Sequence, residues 1–109
     1  MQTEIFKVLA DKNRNTIVTL LIFKDLCVCD IEEILNMKQA NVSKHMMKLK
    51  KEKIVDSRKE AQWVYYRINE DFVKANELLI NYLKEKALSS GKFNALIKEV
   101  KDHNHCQIK

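Results

Sequence analysis

A mainly α-helical domain carrying a two-stranded β-hairpin is the fold this sequence predicts, and three observations carry that expectation. The 109 residues hold one Gly and no Pro, against a β-sandwich or barrel that needs a turn signal every ~8 to 12 residues. Most of the chain repeats its apolar residues at helical spacing, and one stretch, Trp63 to Ile68, changes to a period of two. The length fits one domain and is too short for two independent cores, so residues 1–101 are expected to fold together and 102–109 to form a polar C-terminal tail.

Taken in order, Ile5, Phe6, Val8 and Leu9, then Ile17, Val18, Leu20, Leu21 and Ile22, predict two helices broken around Asp11 to Asn13. The second is apolar enough to be buried. Asp30 followed by Glu33 is a capping arrangement ahead of Ile31, Ile34 and Leu35, which predicts a short third helix starting there. Asn36 to Gln39 reads as a tight turn, after which Val42, Met46 and Leu49 recur as the apolar stripe of a fourth helix. A weaker strand over Ile54 to Arg58 and a stronger one over Trp63 to Ile68 make the hairpin. Phe72, Asn76, Leu79 and Leu83 beside Val73, Ile80 and Ala87 predict one long helix from about Asp71 to Ala87, with more apolar surface than a small core covers. Its natural use is a homodimer seam. Ser89-Ser90-Gly91 breaks the chain before a last helix built on Phe93, Leu96, Ile97 and Val100.

No apolar run approaches the ~18 residues of a spanning helix, and the first residues lack the basic-then-apolar layout of a signal peptide. No membrane partner and a cytoplasmic location are expected. The net charge is only +5, but the segment Lys38 to Lys59 carries +6 by itself and leaves the other 87 residues at −1. Basicity concentrated in this way suits a phosphate-facing surface, although a solvated lysine face would look similar. Two short helices with a tight turn, the second polar and basic on one face, then a hairpin with basic residues, is the order of a winged helix-turn-helix.

The stretches ADKNRNTIVTLL, DLCVCDIEEIL, MKQANVSKHMMKLKKEKIV and SRKEAQWVYYRIN resemble the ArsR/SmtB family of metal- and metalloid-responsive bacterial repressors, over roughly residues 3 to 85. Lys12 stands where a Pro often follows the first helix, Ala40 where Pro often follows Gln, and Ala61 where the wing tip usually has Gly. The last of these implies a longer or looser wing tip than usual. The resemblance implies a homodimer on the first and last long helices, bound to double-stranded operator DNA. It implies recognition by the helix from about Gln39 to Lys51, with Gln39, Asn41, Ser43, Lys44 and His45 facing DNA, Lys48 on phosphate, and Arg58 or Lys59 reaching the flanking backbone. Asn41 could instead serve the helix's first turn, and His45 could be a satisfied residue near the hydrophobic layer.

Three cysteines, two of them in Cys27-Val28-Cys29, argue against a disulfide framework and for thiol chemistry or metal ligation. In extended backbone the two thiols point to one side, and Cys29 lies beside the positive end of the third helix, which lowers a thiol pKa. The resemblance makes this pair the sensing box, with both thiolates as inducer ligands. A redox switch through a C-x-C disulfide and plain packing remain open. Thiolates select soft ions over Mg²⁺ and Ca²⁺. Trivalent arsenic or antimony, which take three thiolates, come first, and cadmium or lead second; no organic cofactor is expected. Some relatives carry a third Cys three residues after the second, where this chain has Glu32, so Cys106 is the one thiol left to complete a three-sulfur site, unless it is incidental to a disordered tail. A cysteine enzyme is disfavoured, because no Gly-rich phosphate loop, nucleophile elbow or His beside either Cys is present. A basic architectural DNA binder without a ligand is the other alternative.

Overall fold

The computed structural model describes residues 2–102. Helices α1 (Gln2–Leu9) and α2 (Lys12–Phe23) are joined through Asp11, whose carboxylate accepts from the Asn13 and Arg14 backbone N–H groups at 2.9 and 3.1 Å and so satisfies two orphan donors of α2. Arg14 Nε donates to the Val8 carbonyl at 2.9 Å and Asn15 Nδ2 to the Leu9 carbonyl at 3.2 Å, which stitches the end of α1 onto α2. Five consecutive α2 residues, Ile17 to Leu21, are buried, as its nearly unbroken apolar run predicts. Around this helix gather Leu26, Ile31, Val42, Met46, Leu49, Ile54, Val55, Phe72, Ile80 and Leu83 in one core.

Helix α3 (Val28–Leu35) ends at Asn36, which adopts the left-handed region (φ 54°, ψ 50°) that Asn tolerates better than most side chains. Helix α4 (Gln39–Lys51) follows after a three-residue link, Asn36 to Lys38, and buries Val42, Met46 and Leu49, the stripe its spacing predicts. Strands β2 (Val55–Glu60) and β3 (Trp63–Ile68) form the hairpin, closing at the Glu60–Trp63 pair. Only Ala61 and Gln62 remain in the turn. The expected longer or looser tip is therefore not found; the backbone instead forces Ala61 into positive φ (57°), a conformation that its Cβ makes costly.

Three further differences follow from local physics. A two-residue strand, β1 (Leu26–Cys27), pairs antiparallel with β3, Leu26 opposite Tyr66 and Cys27 opposite Tyr65, so the sheet has the order β1-β3-β2. Helix α3 begins at Val28 and not at Asp30, because Asp30 serves as its third residue and reaches back to the Cys27 N–H at 3.1 Å. The expected long helix is two, α5 (Glu70–Ala75) and α6 (Glu77–Ser89), broken at Asn76, whose side chain donates to the Phe72 carbonyl at 3.0 Å while its backbone leaves helical dihedrals. Helix α7 (Gly91–Asp102) packs back over α2, α3 and α6, and among the described residues no helix is long and apolar enough to cross a membrane.

Candidate thiol site and nucleic-acid interface

With its apolar stripe fixed against the core, α4 turns the rest of its surface outward. Gln39, Asn41 and Lys44 are exposed, while Ser43, His45 and Lys48 are half-buried on its flanks. The His45 charge, behind the larger effects of the Arg14 and Asn13 N–H bonds, helps hold the Asp11 carboxyl below its usual range. Met47 is 71% exposed on the outward face, a residue the sequence reading passed over because it sits beside a core methionine. Lys50 Nζ donates to Ser57 Oγ at 2.8 Å and ties α4 to the wing.

The two wing cations differ. Arg58 is held on both sides, its Nε 2.8 Å from Glu60 and its Nη1 2.8 Å from Asp25, with the guanidinium 5.0 Å over the Tyr65 ring. These carboxylates, Glu60 first and then Asp25, raise its pKa further. The structure thus brings Arg58 to the segment before β1, whereas Lys59 is exposed and meets no acidic partner among the described residues.

The thiol pair sits where β1 becomes α3. Cys27 is only 2% exposed, has extended dihedrals (φ −89°, ψ 168°) and caps α3, its sulfur accepting from the Asp30 N–H. Cys29 lies in the first helical turn, so the pair is not extended throughout as its sequence spacing suggested. The sulfurs still converge, 2.9 Å apart and outside the ~2.05 Å of a covalent disulfide. Burial pushes the Cys27 thiol up to about 11, and the Asp30 carboxylate adds to the rise; for this thiol loss of water outweighs the helix terminus. Donor atoms of Cys27, Cys29 and Asp30 all lie within 4.8 Å of one another. Two sulfurs with carboxylate oxygen nearby fit a soft or borderline ion and not a hard, all-oxygen one.

Beside the pair opens a cavity of about 290 Å³. Cys27 lines it from the end of β1, Val28, Cys29 and Glu32 from α3, Gln39 from the start of α4, and Gln62, Trp63 and Val64 from the wing. The sequence signal for Glu32 was its position three residues after Cys29. Nothing local signalled the wing residues, which only the tertiary fold delivers. Cys106 falls outside the described residues, as do His103 and His105.

Residues 11–57 match the family described as bacterial regulatory protein, arsR family. The chain is 44% identical over 82 residues to the cadmium resistance transcriptional regulatory protein CadC of Listeria innocua, covering 73% of this chain and 69% of that protein. It is 39% identical over 67 residues to the arsenical resistance operon repressor of Escherichia coli K12, covering 61% and 57%. Its fold is similar to a homodimeric winged helix-turn-helix DNA-binding domain from Mycobacterium bovis, with a TM-score of 0.65, 27% identity and coverage of 82% and 83%.

Proposed function

The chain belongs to the arsR family of bacterial regulatory proteins, DNA-binding transcriptional repressors and not enzymes, and on that premise we propose that it releases operator DNA when Cys27 and Cys29 bind a soft ion. One observation carries the reading: the thiol pair shares a cavity with the first residue of α4 and the tip of the wing. Whatever Cys27 and Cys29 hold therefore acts on both DNA-facing elements at once.

The dimer uses the apolar surface that the core leaves over, Phe6 on α1 and Leu78, Tyr82 and Leu88 on α6. Two copies of α4 then enter successive major grooves about one turn apart, where Gln39, Asn41, Ser43, Lys44 and His45 face base edges. Met47 adds an apolar surface for thymine methyl groups. Lys48 and Lys59 neutralise phosphate, and Arg58 reaches the backbone only if it leaves Asp25 and Glu60. The protein works in the cytoplasm, where operator DNA is.

A bound soft ion would be held by the sulfurs of Cys27 and Cys29, whose thiol protons would pass to solvent as the bonds form. To make them, Cys27 gives up its role as the α3 cap, and its strand partner Tyr65 transmits the change to β3. Gln39 and Trp63 feel the same change across the cavity. A ~100-fold difference in DNA affinity corresponds to ~3 kcal/mol of coupling, which a rearranged cap and a shifted wing supply without unfolding the domain. Trivalent arsenic or antimony requires a third sulfur and so depends on Cys106; cadmium or lead does not. Arsenite, antimonite, cadmium and lead titrated in parallel against the DNA-bound dimer test the reading. Release by at least one, lost in Cys27→Ser, supports it, and retention of DNA with all four contradicts it.

A further inference from the structure

We propose that Glu32 is the third donor of the inducer site, which makes it a two-sulfur, one-carboxylate site suited to a divalent soft cation of the cadmium type. The inference rests on the thiol pair being the inducer site. Glu32 stands one helical turn after Cys29, on the same side of α3, where residues three apart have Cβ atoms about 5 to 6 Å from each other. Both line the cavity next to the converging sulfurs of Cys27 and Cys29. Asp30 is nearer to those sulfurs, but it is buried, accepts from the Cys27 N–H through Oδ2 as part of the helix cap, and is absent from the cavity wall. Glu32 is half-buried, and among the described residues no cation pairs with it. An ion entering through the cavity thus meets two sulfurs and one carboxylate available to it.

That donor set discriminates. A trivalent arsenic centre takes three sulfurs in a pyramid, and a carboxylate oxygen is a poor substitute for the third. A divalent cation of intermediate softness accepts mixed sulfur and oxygen ligands, and the carboxylate offsets part of its charge. On this donor set a cation of the cadmium type comes ahead of trivalent arsenic.

The test uses the full-length dimer titrated with cadmium chloride and, separately, sodium arsenite, following the sulfur-to-metal absorption band and the dissociation constant. Glu32→Gln should weaken cadmium binding by about tenfold or more with the band per ion unchanged. Glu32→Cys should raise the cadmium band by about half, as two sulfurs become three, and tighten arsenite binding by a similar factor. Cys106→Ser should change neither the cadmium band nor the cadmium dissociation constant. A Glu32→Gln protein that binds cadmium as the parent does, or a parent band that falls in Cys106→Ser, would overturn the assignment while leaving the thiol pair in place. Absence of any band in the parent protein would instead overturn the inducer-site reading on which the assignment stands. Glu32→Cys keeps the question answerable should Glu32→Gln fold poorly.

Discussion

Cys27 lies opposite Tyr65 across the β1–β3 ladder, so the buried thiol and the wing belong to one sheet. On the far side of the same Tyr65, Arg58 rests over the ring and reaches Asp25, two residues before Cys27. One strand pair and one ion pair thus join the segment around the thiol to the wing.

The cations of α4 and the wing should separate in a salt titration. Lys48→Ala and Lys59→Ala are each expected to weaken binding to specific and unrelated DNA alike and to flatten the salt slope by about one phosphate's worth. Arg58→Ala should leave the slope nearly unchanged, because Asp25 and Glu60 already hold that charge, and should change stability little, as exposed ion pairs do. Anisotropy measured over a series of salt concentrations distinguishes the three.

Ala61 holds positive φ at the tip of a two-residue turn. Ala61→Gly removes the clash and should stabilise the domain by about 1 kcal/mol, raising the melting temperature by several degrees. Ala61→Val should lower it.

Asp11 caps α2, and the Arg14 N–H bond foremost, with the Asn13 N–H bond and the nearby His45 and Arg14 charges, keeps its carboxyl below the usual value against the opposing effect of burial. A carboxyl whose folded pKa is depressed contributes stability above its unfolded value near 3.8, lost as pH falls through the folded one. Asp11→Ala should cost about 1 kcal/mol at neutral pH, and Asn at this position should restore most of it while weakening the acid dependence. Denaturant melts at pH 7 and pH 3 report both effects.

Leu78 is 85% exposed on α6 and buries nothing in the single chain. Leu78→Glu should leave helix content and fold intact yet shift the protein to monomers in sedimentation, with operator affinity falling by at least tenfold as the paired half-sites are lost. A dimer that survives this change would move the seam elsewhere.

How much of this was legible beforehand depended on distance along the chain. Helix α4 was readable from Gln39 to Lys51 because Val42, Met46 and Leu49 repeat within it. The break at Asn76 was not, since the apolar period runs through it and only a side-chain bond to the Phe72 carbonyl ends the helix. Strand β1 has two residues and thus no period to detect; its existence depends on Tyr65 and Tyr66, nearly forty positions later. Cys27 and Cys29 announced themselves by spacing, whereas the cavity that joins them to Gln39 and Trp63 exists only once the wing folds over α3. The ion pair of Arg58 with Asp25 joins residues 33 positions apart and so leaves no local signal.

An energetic link between the thiol pair and DNA must be reciprocal. Calorimetric titration of cadmium and arsenite into the dimer, alone and saturated with an operator duplex selected from random-sequence DNA, measures it. DNA should weaken binding of the inducing ion by ~100-fold, and Cys27→Ser should abolish ion binding with DNA affinity retained. Equal ion affinity in the free and DNA-bound dimer would contradict it.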